Sequence, residues 1–141
     1  MTKKPIECFK TNEQFQECCR WWQHKLFLDD WFIKFELTTD KLEVPEEGGI
    51  LSGACNYIFN NREANIIVSN TNEYDGESPV RNIAELTVVH ELLHLKNGYN
   101  CEFDAEEKTF HNYIVHQELE AMAKTLIMIK YGVDYNYFLG S

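Results

Sequence analysis

Apolar positions along the chain follow two periods, and the changes between them mark its elements. From Asn12 to about Leu28, the residues Phe15, Cys18, Cys19, Trp22 and Leu26 recur at steps of three and four. That spacing predicts an amphipathic helix, with Asn12 as its cap. From Trp31 to Thr38 the period falls to two: Trp31, Ile33, Phe35 and Leu37 alternate with Phe32, Lys34, Glu36 and Thr38. This is the pattern of a half-buried strand. Residues 40–49 are acidic and end in two glycines, which reads as a loop. Ile50 to Phe59 and Glu63 to Ser69 read as two further strands, joined at Asn60-Asn61. Asparagine tolerates positive φ, so an antiparallel hairpin is expected there. Residues 70–78 form a polar loop.

Ser78 and Pro79 then suit an N-cap and a first helical position, and the helix they open is expected to run to Asn97 and stop at Gly98. A last, long helix is expected from Asp104, with Glu107 completing a capping box, to about Tyr131, ended by Gly132. The order predicts an α+β fold: an N-terminal helix, a small three-stranded, mainly antiparallel sheet, and two C-terminal helices.

Composition narrows the classes. With 141 residues the chain has the size of one domain, expected to span 1–141, and 44% apolar residues exclude a disordered chain. No apolar run approaches a membrane span, and the charged N-terminus does not resemble a signal peptide, so no membrane association and a cytoplasmic location are expected. Thirteen Lys and Arg against 23 Asp and Glu leave a net charge of −10, which disfavours nucleic acid as a partner. The cysteines, Cys8, Cys18, Cys19, Cys55 and Cys101, are odd in number and show no C-x-x-C spacing. Reduced, largely buried thiols are expected, rather than disulfides or a thiolate zinc site.

The chemistry concentrates at His90-Glu91-Leu92-Leu93-His94, an H-E-x-x-H sequence inside the penultimate helix. Residues four apart leave a helix on nearly the same face, so both imidazoles can reach one Zn²⁺. Glu91, turned about 100° away, can stand beside the metal as a general base without ligating it. Val88, Val89, Leu92, Leu93 and Leu95 make this helix apolar nearly all round, hence buried. Two histidines and a glutamate in such a helix cost free energy unless something pairs with them, and a metal does.

A catalytic zinc needs a third protein ligand and an open position. On the last helix, a wheel places Val115, Leu119, Met122, Ala123, Leu126, Ile127 and Ile129 in one apolar arc. His116 falls within it, Glu118 at its far edge, and Glu120 just beyond His116. Either His116 or Glu118 could therefore ligate, with Glu120 as a neighbour of His116. His111 and His24 read as structural or surface residues, and Tyr57, Tyr99 and Tyr113 are candidate oxyanion donors.

Thr87–Leu95, followed by Ile114–Leu126, resembles the small phage-encoded zincin-like metallopeptidases. Asp30–Phe35 is similar to their first strand, and Glu63–Val68 to the strand before their active-site helix. The resemblance covers most of residues 28–131 and is most specific at the HExxH helix. It implies a zincin-like fold and a zinc-dependent hydrolase with three protein ligands. In gluzincins the third ligand lies on the following helix, with an acidic residue four positions later bonding a ligand histidine. His116 and Glu120 reproduce that spacing with histidine in the ligand place. The implied site is thus His90, His94 and His116 on zinc, Glu120 behind them, and Glu91 as general base for a zinc-activated water that attacks a peptide bond. The metzincin continuation is absent, since positions 100 and 101 are Asn and Cys.

The implied partner is a peptide or protein substrate, in a bacterial or phage-infected cytosol. The same layout implies an edge strand that aligns substrate, and Glu63–Ser69 is the candidate. A second reading is a non-catalytic zincin-fold binding protein, with a structural metal and an acidic docking surface. A structural zinc takes four protein ligands, and an intact Glu91 would be superfluous to it.

Overall fold

The protein is described from a computed structural model. It covers residues 4–39, 42–44, 49–51, 53–70, 82–96 and 105–139, with backbone only at 42–44, 49–51, 59 and 105–116. The fold is α+β.

Helix α1 (Asn12–Lys25) buries Phe15, Cys18, Cys19 and Trp22, the face its spacing predicts. Its cap is Thr11 rather than Asn12: the Thr11 hydroxyl accepts from Gln14 N–H at 3.1 Å. Thr11 has the extended backbone a cap needs, whereas Asn12 is already helical. The helix ends before Leu28, with Phe27 in the left-handed region.

Strand β1 (Phe32–Thr38) points Ile33 and Phe35 inward, and the Phe35 ring meets Phe15 edge-on, 6.4 Å between centroids. The stretch expected to be a loop contains β2 (Leu42–Val44), paired antiparallel with β3 (Gly49–Leu51) in a sheet of its own. The expected strand from Ile50 to Phe59 is therefore two, since β4 (Gly53–Ile58) belongs to the main sheet. Antiparallel pairing of β4 with β5 (Glu63–Ser69) bears out the hairpin. Its turn differs in detail. A short 3-10 turn spans Phe59–Asn61, and the positive φ falls on Arg62 (52°), whose guanidinium pairs with Asp30.

The main sheet has the order β1-β5-β4 and is mixed, not mainly antiparallel, because β1 runs parallel to β5. Residues 39–62 separate the two strands, length enough for the crossover that a parallel pair needs, and β5, which buries Ala64, Ile66, Val68 and Ser69, is flanked on both edges. Edge positions suit strands with less to bury. Glu63–Ser69 is thus an interior strand, and its expected role as an edge platform is overturned.

Helix α2 (Ala84–Lys96) starts later than Ser78, since Asn82 and Ile83 are not helical; Ser78 and Pro79 themselves lie outside the described residues. The carbonyls of Glu7 and Ile6 accept its first donors, Ala84 N–H at 3.0 Å and Glu85 N–H at 2.9 Å. An extended N-terminal segment so does the work of a cap. Helix α2 packs on α1, β4, β5 and α3 and is buried on nearly every side, as its all-round apolar character predicts.

Helix α3 (Ala105–Tyr131) ends where expected, with Gly132 at φ 69° and its N–H bonded to Met128 C=O at 2.8 Å. It buries Leu119, Ala123 and Ile127. Met122 and Ile129, assigned to the apolar arc, are exposed, so the buried stripe is narrower than the wheel implies. Among the described residues no helix is long and apolar enough to cross a membrane.

Candidate metal centre

One turn of α2 separates His90 from His94, and their rings lie 4.9 Å apart between centroids, on the one part of the helix that is half-buried. Glu91 points inward and is buried. One donor atom from each of His90, Glu91 and His94 lies within 4.8 Å of the others, a spacing that could hold a metal ion. Around them Val88, Val89, Leu92 and Leu93 are buried, which fixes the helix against rotation and holds both imidazoles toward one side.

Glu120 reaches across from α3. Its Oε2 lies 2.8 Å from His90 Nδ1, which leaves Nε2 as the nitrogen available to a metal. Burial pulls the His90 imidazole down, but the hydrogen bond and charge of Glu120, with the charge of Glu91, outweigh it and hold His90 above its ordinary value. Burial pushes the Glu91 carboxyl up to about 7; His90 opposes this and Glu120 adds to it. Glu91 Oε2 is fully buried and has no hydrogen-bond partner among the described residues. Such an atom costs free energy unless a metal, water or substrate supplies a partner.

The sheet approaches this helix closely at Gly53, the first residue of β4. A Cβ placed there would lie 2.6 Å from Thr87 Cγ2, 3.0 Å from the Ile67 carbonyl oxygen and 3.2 Å from Glu91 Cγ. Only glycine lets the edge strand come this near to Glu91. On the other side of His90 a cleft of about 530 Å³ opens, lined by His90, Gln117, Glu120, Ala121, Lys124 and Tyr135.

Sequence reasoning places His90, Glu91 and His94 together, and the structure brings them together. Glu120 lies beside His90, its Oε2 2.8 Å from Nδ1. Glu118 is exposed, on the side of α3 where Ile129 is also exposed. His116 belongs to α3 one turn before Glu120, but its side chain lies outside the described residues, as do those of His111 and Tyr113. Tyr99 and Cys101 also lie outside them. Tyr57 is half-buried on β4, and His24 is exposed beside Asp29 at 3.1 Å, a surface residue as expected. The thiols of Cys8, Cys18, Cys19 and Cys55 are free. Burial, then the charge of Glu91, pushes Cys55 up to about 12, so it is a poor nucleophile or metal ligand.

Gly53, Lys124, Tyr135 and Glu85 were not singled out by the sequence. A glycine inside an apolar strand signals close approach, and Gln117, Glu120, Ala121 and Lys124 at steps of three, one and three form a helical stripe. Those two signals were legible. Glu85 and Tyr135 gave none.

Fold and site together define a small α+β protein with a His-Glu-His group on a buried helix, able in geometry to bind a metal. Comparison with protein-family models, curated proteins and solved structures found no match to this chain.

Proposed function

We propose that this chain is a zinc-dependent metallopeptidase with a zincin-like fold. The observation that carries the reading is Glu91. It is a buried carboxyl pushed up to about 7, with Oε2 lacking a hydrogen-bond partner among the described residues, and a ligand atom of each neighbouring imidazole lies within 4.8 Å of it. The donor set fits zinc: His90 and His94 supply neutral nitrogens, and Glu120 fixes the His90 ring from behind. His116, one turn before Glu120, is the proposed third ligand.

When bound, zinc supplies Lewis acidity that draws the pKa of a water toward 7 and polarises a carbonyl. Glu91 Oε2 accepts the proton of the attacking water and later delivers it to the leaving amine. Glu120 keeps His90 in one tautomer. Gly53 leaves Glu91 room between α2 and the sheet edge.

Metal content and peptide hydrolysis, measured together, test this reading. His90→Ala and His94→Ala should each abolish stoichiometric zinc. Glu91→Gln should keep the zinc and lose hydrolysis. Glu120→Ala should weaken zinc affinity by about 10- to 100-fold, and Glu118→Ala should leave it unchanged. Full zinc content in both histidine variants would remove the site. Zinc without hydrolysis of any peptide would favour the binding-protein alternative.

A further inference from the structure

The cleft beside His90 carries a cation that the chemistry above does not use. Lys124 follows Glu120 by one turn on the same stripe of α3. Its ammonium lies 5.5 Å from the ring centroid of Tyr135 and 6.0 Å from that of Phe138. Two aromatic faces therefore restrain a side chain that would otherwise move freely in solvent. Phe138 is itself fully buried, so its ring belongs to a fixed part of the fold, while Tyr135 stands exposed at the mouth of the cleft.

Its place in the cleft, rather than its lack of an acid, makes the position informative. The protein carries 23 acidic residues against 13 basic, yet among the described residues only two of the lysines and arginines meet a carboxylate at ion-pair distance. Lys130 is paired with Glu85, and Arg62 with Asp30. Among the described residues no carboxylate pairs with Lys124. Glu120, the acid of the cleft, is engaged by His90. Lys124, Gln117 and Tyr135 line the cleft that reaches His90, and their side chains offer a positive charge, an amide and a phenol. A carboxylate matches that set: it pairs with the ammonium and accepts from amide and phenol.

We propose that this cleft is a subsite for a peptide carboxylate, read by Lys124 next to the candidate metal centre. The inference rests on the peptidase reading for its substrate class, and it names a preference within that class: peptides that place a negative group beside the reacting bond. The carboxylate can be an acidic side chain or the free C-terminus of a short peptide, which share this chemistry.

Four N-acetylated alanine pentapeptides separate the sources: the C-terminal amide, the free acid, and amides with Glu or Gln at the centre. Their binding to the full chain is read from backbone amide NMR shifts, both metal-free and zinc-loaded with Glu91→Gln to prevent turnover. An acidic peptide should bind about three- to tenfold tighter than its neutral isostere in both forms, the range of an exposed to half-buried ion pair. Which acid gains identifies the source. Lys124→Gln should erase the difference and Lys124→Arg should retain it. Equal binding of acid and isostere, or a preference that survives Lys124→Gln, would overturn the subsite. The same peptides are then incubated with the zinc-loaded chain carrying its native Glu91: no cleavage with the preference intact would overturn the peptidase reading alone. Cleavage without the preference would overturn the subsite alone.

Discussion

Two glutamates stand six residues apart on the same helix, both buried, and they have opposite surroundings. Glu85 is completely enclosed, yet every lone-pair direction is used. Oε1 accepts from Ile6 N–H at 2.9 Å and Tyr131 O–H at 2.5 Å. Oε2 accepts from Trp22 Nε1 at 2.9 Å and Lys130 Nζ at 2.7 Å. Glu91 is nearly as buried, but among the described residues Oε2 meets no donor, and its carboxyl rises to about 7. Burial alone therefore does not put two carboxyls to the same end. Donors decide: a carboxyl that receives four of them is cement between segments, and one whose Oε2 receives none among the described residues holds its proton to higher pH than an ordinary carboxyl.

The cement joins distant parts of the chain. Glu85 ties the N-terminal segment, α1 and the end of α3 to the first turn of α2. Lys130 is held in turn over Trp21, 4.0 Å from its ring centroid. If Glu85 is structural, Glu85→Ala should cost the most of any change considered, on the order of 3–5 kcal/mol, since it strands buried donors and a charge. Urea unfolding would show it, and a loss under 1 kcal/mol would break the contrast with Glu91.

Glu91 should behave in the opposite sense, and with pH. In the metal-free protein its folded pKa of about 7 exceeds the ordinary 4.5. A group raised on folding contributes stability that is complete below the unfolded value and lost as pH rises through the folded one. Metal-free protein should therefore weaken between about pH 4.5 and 8, by on the order of 3 kcal/mol from this group. Glu91→Gln should flatten that part of the profile and be the more stable protein at pH 8. A parallel decline in both would show that the raised carboxyl is not its source.

Gly53 sharpens the contrast from the sheet side. Gly53→Ala would push a methyl group against Thr87 and toward Glu91. Overpacking of this kind costs about 1–3 kcal/mol. The variant should lose zinc affinity beyond what its stability loss alone produces, read by zinc titration well below its melting temperature.

These differences explain what the sequence could and could not reveal. The face of α1, the alternation of β1, the end of α3 at Gly132 and the His90-Glu91-His94 turn are local patterns, and each was legible. Pairing β1 with β5 in parallel depends on segments some thirty residues apart, which no local period encodes. The cap at Thr11 instead of Asn12 turns on a single residue's dihedrals. Glu85 looked like any first-turn acid, because its donors come from Ile6, Trp22, Lys130 and Tyr131. Glu91 was legible only because its motif is a chemical pattern as well as a structural one. That Oε2 meets no donor among the described residues is a property of the fold.

The mildest change asks whether the Glu85 cluster is saturated or merely crowded. Tyr131→Phe removes the shortest contact to the carboxylate and leaves the ring and the other three donors in place. Tyr131 itself is held well above its usual range, first by burial and then by its hydrogen bond to Glu85. In a saturated cluster each donor shares the charge, so losing one should cost about 1–2 kcal/mol, well short of Glu85→Ala. The loss should be the same in metal-free and zinc-loaded protein, because the cluster touches neither imidazole. If Tyr131→Phe proved as damaging as Glu85→Ala, the tyrosine rather than the ion pair would be holding α3 to α2. Glu85 would then depend on one donor rather than on a saturated set, and the division between the two glutamates would fail.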